Sequence, residues 1–489
     1  MNSQQKAKLN EKNTANKAIT KKAKAKQRTR TNLSNAHALK KNDIITLKIT
    51  EWGTKGLAIG RYENQKILVP YVKPYEKIKV QLLKIGPSFI FGKCLEIVED
   101  DPTVVFPKCS VFGKCGGCHY QHVPYSEQLD IKLKQYSDSL SSQLNDIPSK
   151  MPFDFSKSVE ILPSLSPWDY RYKSQFIIKN EIIGLSAARS QTVVNIDNCS
   201  VQHPLSNTVL TIIRTWLTKQ REKGVDCSQF SQFFTRVSPC STQLMVGFIS
   251  KIDDKLFFKD LCRQLLNEIP ELASILLNIN TGDEWDLFGS ETTLLHGDEK
   301  LYFSYAGIKL QQSLDSFVQA NGLMLETFWK KATDLLALSK TDTLLDCYSG
   351  TGGMSIYFSK FVKDVICIES SASSINDARE NIAENDITNI RLIHKKAEDA
   401  LGSIDVQLDA VCTNPPRAGL HSSVKDALIK LNPFKILYIS CNPETLAADL
   451  TSTLKNGYSV KKAVLLDMFP QTYHMESMVL LEKDDKKLS

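Results

Sequence analysis

The sequence predicts an α/β protein in three structured parts behind a basic tail, and three observations predict it. From Thr343 onward, short apolar strands alternate with helical stretches. Between Asn42 and Glu99, short strands are separated by Gly, Pro, Asn and Lys, and residues from about 120 to 315 mix helical and strand-like segments. The chain has 489 residues, enough for two to four domains. The reading is a tail at 1–41, a barrel at 42–100, an α+β segment at 101–315 and an α/β sheet at 316–489. Hydrophobic residues make up 42% and charged residues 24%, an ordinary soluble composition with no run of eighteen apolar residues, so no membrane partner is expected. The amino terminus lacks an apolar signal segment, so a reducing, cytoplasmic interior is expected. There the cysteines serve as metal ligands, nucleophiles or packing, not disulfides. A monomer is expected.

Residues 1–41 carry twelve Lys or Arg against the single acid Glu11, a balance of +11 that leaves −4 on the remainder. Such a tail reads as disordered and solubilising, and equally as a mobile arm that gathers polyanions through counterion release.

Segments 44–52, 56–60, 66–70, 77–83 and 89–97 alternate apolar and polar residues. Five short strands in under sixty residues suggest a small barrel of the oligonucleotide-binding kind. Their spacing resembles the TRAM domain of RNA-modifying enzymes, with Pro74-Tyr75-Glu76 departing from its usual Pro-Gly-Glu.

Cys109, Cys115 and Cys118 then fall within ten residues, among glycines that let backbone fold around a centre. This spacing is a metal signal, and Cys199 is the expected fourth thiolate. All-thiolate ligation fits zinc or iron and sulfur. Cys94, Cys227, Cys240 and Cys262 have no companions and are expected in the core. In the α+β segment, helices are expected at 125–143, 205–222 and 257–266, and strands at 174–179, 242–249 and 300–305. Trp168, Tyr170, Arg171, Tyr172 and Lys173 form an aromatic and cationic cluster that suits either RNA stacking or internal packing.

In the last part, strand 343–346 runs into the glycine loop 347–353, a helix follows, and strand 364–369 ends in Glu369. Glycines let a cofactor approach the backbone, and an acid closing the next strand can bind ribose hydroxyls. Loop and acid at this interval predict a Rossmann-like site for NAD or S-adenosylmethionine. Strands 390–394 and 408–412 follow, the latter leading into Asn414-Pro-Pro-Arg417. The fifth strand ends at Ser440, which puts Cys441 just past its carboxyl end. Neighbouring parallel strands present these ends together, so Asn414, Cys441 and the glycine loop should open into one crevice, with Glu476 at the same rim.

Three motifs, Asn414-Pro-Pro-Arg-Ala-Gly419, Tyr438-Ile-Ser-Cys-Asn442 and Asp467-Met-Phe-Pro-Gln-Thr-Tyr-His-Met-Glu476, together resemble those of the RNA uracil-5-methyltransferases. The resemblance extends over residues 42–484 and includes Phe317-Val-Gln-Ala-Asn321. It implies S-adenosylmethionine as methyl donor, RNA as substrate, Cys441 as nucleophile and Glu476 as base. It also implies that Gln319, Tyr348, Glu369 and Asn414 line the cofactor site. Asn414 stands where Asp is commoner, and Gly353 where Asn often is. The four cysteines match those holding a four-iron, four-sulfur cluster in the 23S ribosomal-RNA branch, which favours iron over zinc and ribosomal over transfer RNA. The chemistry fits independently, because carbon 5 of uracil becomes nucleophilic only after a thiolate adds to carbon 6. The carbon 5 proton must then leave to a base on the other side, and the nucleotide must be extruded to expose both faces. The rivals are a cytosine-5-methyltransferase, which would use a second cysteine such as Cys412, and a non-catalytic RNA-binding or ribosome-assembly factor.

Overall fold

A computed structural model of the chain describes residues 39–484, apart from 145–146, 148–151, 181 and 283–287. Nearly all of the basic tail lies outside the described residues. Five strands, β1 (Ile44–Trp52), β2 (Leu57–Tyr62), β3 (Gln65–Pro70), β4 (Lys77–Ile85) and β5 (Ile90–Glu99), close into a barrel in the order β1-β2-β3-β5-β4. The parallel pairing of β3 with β5 completes the closure. Alternation puts Leu47, Ile49, Ile67, Val69, Ile78, Val80 and Ile90 inside. A Cβ on Gly60 would run into Leu47, so the barrel needs glycine there. Tyr75, where the TRAM pattern has glycine, takes a left-handed φ of 79°. Glu76 beside it is buried and accepts the Lys73 N–H (2.8 Å), and burial pushes its carboxyl up to about 7.

The helix Tyr125–Leu144 and strand β6 (Val159–Leu162) come next. A seven-stranded sheet follows, built from β7 (Lys173–Lys179), β8 (Ile182–Ser186), β9 (Val193–Asn195), β10 (Phe230–Val237), β11 (Leu244–Ser250), β12 (Leu272–Ile279) and β13 (Glu291–Gly297). Its order is β13-β12-β11-β10-β7-β8-β9. The helices Pro204–Glu222 and Lys255–Glu268 bury Val209, Ile213, Trp216, Phe258 and Leu261 in one cluster with Phe233, Val246 and Ile275 of this sheet. Of the four cysteines expected in the core, Cys227 is buried and Cys94 and Cys262 are half-buried, but Cys240 is exposed. It lies in the tight turn between β10 and β11, beside the Ser238 and Thr242 hydroxyls.

The hairpin of β14 (Leu301–Tyr305) and β15 (Ile308–Gln312) leads to the last sheet. Its strands are β16 (Thr343–Cys347), β17 (Asp364–Glu369), β18 (Ile390–His394), β19 (Ala410–Thr413), β20 (Lys435–Ser440), β21 (Tyr458–Leu466) and β22 (Glu476–Lys483). With β6 added at one edge, the order is β18-β17-β16-β19-β20-β22-β21-β6. From β18 to β20 all neighbours are parallel, and β22 is antiparallel to β20. The chain runs outward one way through β17 and β18 and then returns to β19 on the other side of β16. That reversal opens a crevice at the carboxyl ends of β16 and β19. Val365, Cys367, Cys412, Leu437 and Met478 belong to the core on one face, and Ile366, Ile368, Val411, Tyr438 and Val479 to that on the other.

Candidate active site

Ser440 ends β20 and pairs with Ser477 of the antiparallel β22, so Cys441, which follows Ser440, and Glu476, which precedes Ser477, both lie just beyond that pair at the carboxyl rim. Cys441 is half-buried, whereas Glu476 is buried. Burial pushes the Glu476 carboxyl up to about 8. The Cys441 thiol is raised by burial and by the Glu476 charge, and the Arg417 guanidinium pulls it back down. An ionised Glu476 therefore opposes ionisation of the thiol, with a cation beside the sulfur.

The segment that presents Cys441 is fixed locally. Asn442 caps the helix Pro443–Lys455, its side-chain oxygen accepting the Glu444 N–H (3.1 Å), with Pro443 in the first turn. The Asn442 amide donates to the Arg417 carbonyl (3.2 Å), and the Ser440 hydroxyl and the Asn442 backbone exchange two bonds of 3.1 Å. Arg417 in turn donates to His474 Nδ1 (3.3 Å). That ring is packed against Tyr473 and His119, and burial, together with Arg417, pushes its pKa down to about 3. His474 is thus a neutral acceptor that steadies Arg417.

The glycine loop forms the other half of the crevice. Gly350 (φ 58°) and Gly352 (φ 79°) are left-handed, and Gly352 starts the helix Gly353–Ser359. Tyr348 also has a positive φ of 66°; it is half-buried and donates its N–H to the Ile368 carbonyl (2.9 Å). Glu369 is held by three backbone donors: Gly350 N (2.9 Å) on one oxygen, and Ser370 N and Ser371 N (both 2.7 Å) on the other. Asn414 is half-buried past the end of β19, its N–H donating to the Cys347 carbonyl (3.3 Å). Gln319 is half-buried between Ser316 and Asn321, both buried. Asp346, Ser349 and Thr413 each leave a buried oxygen without a protein partner at the ends of β16 and β19. Burial and the nearby Glu369 push the Asp346 carboxyl up to about 7. Tethered acid, opened glycine backbone and orphaned acceptors make a cradle that fits a nucleoside cofactor.

Residues 296–484 match the family model described as tRNA (uracil-5-)-methyltransferase. An uncharacterised RNA methyltransferase of Caldanaerobacter subterraneus is 30% identical over 448 residues, covering 89% of this chain and 97% of that protein. One of Halalkalibacterium halodurans is 28% identical, covering 90% and 97%. Among solved structures, the Pyrococcus abyssi tRNA (uracil-54, C5)-methyltransferase in complex with S-adenosyl-L-homocysteine superposes with a TM-score of 0.71 at 25% identity, covering 89% of this chain and 99% of that one. The chain belongs to the RNA uracil-5-methyltransferase family.

The methyltransferase is an S-adenosylmethionine-dependent enzyme acting on RNA. Among its described residues no helix is long and apolar enough to cross a membrane. Its four motif cysteines converge: Cys109, Cys115, Cys118 and Cys199 line one small cavity together with Arg171 and Gln202. Among the described residues, however, no three His, Cys, Asp or Glu are grouped so as to hold a metal ion. Burial and the neighbouring thiols push Cys118 up to about 12 and Cys199 to about 11, so these sulfurs ionise only beside a cation. The aromatic cluster divides between two settings. Tyr170 and Tyr172 are buried, while Lys108 lies over the half-buried Trp168 ring, 4.7 Å from its centroid. Cys412 is fully buried in β19. Sequence reasoning missed Gln128 and Lys132, whose side chains reach the segment before Glu476; they sit on an ordinary-looking amphipathic helix more than three hundred residues away.

Proposed function

We propose that the enzyme methylates carbon 5 of a uridine in RNA through a covalent adduct of Cys441, with Glu476 taking the carbon 5 proton. The observation that carries this reading is the placement of a half-buried thiol beside a buried carboxyl at the ends of two adjacent strands. Arg417 favours the thiolate, which adds to carbon 6 of an extruded uracil and drives the ring electrons onto oxygen 4. Gln319, Tyr348, Glu369 and Asn414 would hold S-adenosylmethionine, whose methyl group would pass to carbon 5 of the enolate while S-adenosylhomocysteine leaves. Glu476 then accepts the carbon 5 proton, the C5–H electron pair re-forms the C5–C6 double bond, and the sulfur–carbon 6 bond breaks to return the thiolate. A carboxyl pushed up to about 8 is a stronger base than an ordinary carboxylate once ionised.

Cys109, Cys115, Cys118 and Cys199 are proposed as the ligands of a four-iron, four-sulfur cluster, on the ground that they line one small cavity in which burial pushes the Cys118 and Cys199 thiols up, so that a cation is needed to hold those two as thiolates. Such a cluster would brace the segment between the barrel and the helix Tyr125–Leu144. The barrel is proposed to be a TRAM domain that binds RNA, and residues 101–315 a second RNA-binding unit. The four-cysteine set favours 23S ribosomal RNA as substrate; the likeness to the Pyrococcus abyssi transfer-RNA enzyme favours the other branch. Methylating protein-free 23S RNA and bulk transfer RNA with the full chain, then mapping 5-methyluridine in each, decides between them. Methyl incorporation into neither RNA, or incorporation that survives Cys441→Ala, would overturn the reading.

A further inference from the structure

The segment linking β21 to β22 carries no ladder of its own between Leu466 and Glu476, yet four consecutive carbonyls within it each accept a bond from the middle of the chain. Met468 O accepts from the Asn321 amide (3.2 Å), Phe469 O from Lys132 Nζ (3.0 Å) and Pro470 O from the Tyr170 hydroxyl (2.9 Å). Gln471 O accepts from both His119 N (2.7 Å) and Tyr120 N (3.0 Å). Gln471 itself has a left-handed φ of 67°, an unfavourable backbone for a residue with a Cβ. Its N–H donates to Gln128 Oε1 (2.9 Å), and the Gln128 amide returns a bond to Gln471 Oε1 (3.0 Å). One turn along the same helix, the buried Lys132 pairs with the equally buried Asp467 (2.6 Å).

The geometry points to Gln128, Lys132 and Tyr170 as positioning residues for Glu476. A strained residue persists where its surroundings over-determine it, and here that happens five residues before the proposed base. The strand pairing fixes the Glu476 backbone at Leu466. The clamp fixes the chain from Asp467 through Gln471, which leads within five residues into Glu476. Part of the methyltransferase's active site is therefore built by helix Tyr125–Leu144 and by the turn after Cys118, outside the sheet that holds the cofactor.

This rests on reading Glu476 as the base, so the test carries Glu476→Gln beside Gln128→Met and Tyr170→Phe. RNA tritiated at carbon 5 of its uridines reports proton removal as tritium release, and labelled S-adenosylmethionine reports methyl transfer in a single turnover. Gln128→Met should slow tritium release at least tenfold while changing methyl transfer less than threefold, so that a methylated covalent species builds up. Tyr170→Phe keeps the ring and removes one hydroxyl; it should act in the same direction by about threefold, which covers the case in which the methionine variant does not fold. RNA affinity should be unchanged in both. Equal slowing of both steps, or weaker RNA binding with unchanged saturated rates, would sink the positioning role. Normal tritium release by Glu476→Gln would instead remove the base assignment beneath it.

Discussion

Ser477 donates its hydroxyl to the Ser440 carbonyl over 3.1 Å, tying β22 to β20 at the point where each strand reaches the crevice. A slip of one residue would turn Glu476 to the other face of the sheet and away from Cys441. The proposed nucleophile and base are thus set by strand register.

Cys441→Ser should fold and bind S-adenosylmethionine but transfer no methyl, because a hydroxyl supplies almost no oxyanion at neutral pH. RNA containing 5-fluorouridine should trap the wild type as a gel-stable adduct, since fluorine does not leave as a proton. An adduct with the serine variant would show that another residue attacks.

Glu476→Gln should carry out addition and methyl transfer and then stall, leaving methylated RNA bound to protein on ordinary uridine substrate. In the wild type, proton release should accelerate as pH rises through about 8, where the carboxyl ionises. A flat profile for tritium release between pH 6 and 9 would contradict this.

The same group affects stability with a defined sign. Its folded pKa lies above the unfolded value, so its favourable contribution is complete below about pH 4.5 and is lost as pH rises through about 8. Glu476→Gln should therefore be more stable than the wild type at pH 9, by an amount on the order of a few kcal/mol, with the gap closing toward pH 5. Paired melting curves at the two pH values measure it.

The central parallel strands were legible because they are buried on both faces and read as nearly unbroken apolar runs. The runs at 364–369 and 390–394 coincide with β17 and β18, and Cys441 follows the strand that was expected to present it. The shared edge at which these strands stop was legible for the same reason. Phe230–Val237 was not, because its Ser231, Gln232, Thr235 and Arg236 break the pattern. Arg236 is fully buried there, its charge met by the Leu314 and Ser316 carbonyls (2.8 Å each). No spacing rule anticipates a guanidinium satisfied by a loop eighty residues on. The clamp on Gln471 was hidden for a related reason, as its members are scattered over residues 119–321 and meet only in the folded chain.

Protein purified without oxygen should be brown, absorb broadly near roughly 400 nm and carry about four irons. Cys199→Ala should bleach it and weaken RNA binding while leaving S-adenosylmethionine affinity within about twofold, because Gly350 and Gly352 follow β16 and Glu369 ends β17, away from the loop that carries Cys199. One zinc per colourless chain would reassign the metal and leave the methyl chemistry standing.

Strand β6 has a consequence for how this molecule is made. Val159 pairs with Ala463 and Leu162 with Leu466, across about three hundred residues of intervening chain. During synthesis β6 leaves the ribosome about three hundred residues ahead of its edge partner β21. Contacts this remote slow folding, so a nascent chain of this protein exposes an apolar segment over that interval and should lean on chaperones then.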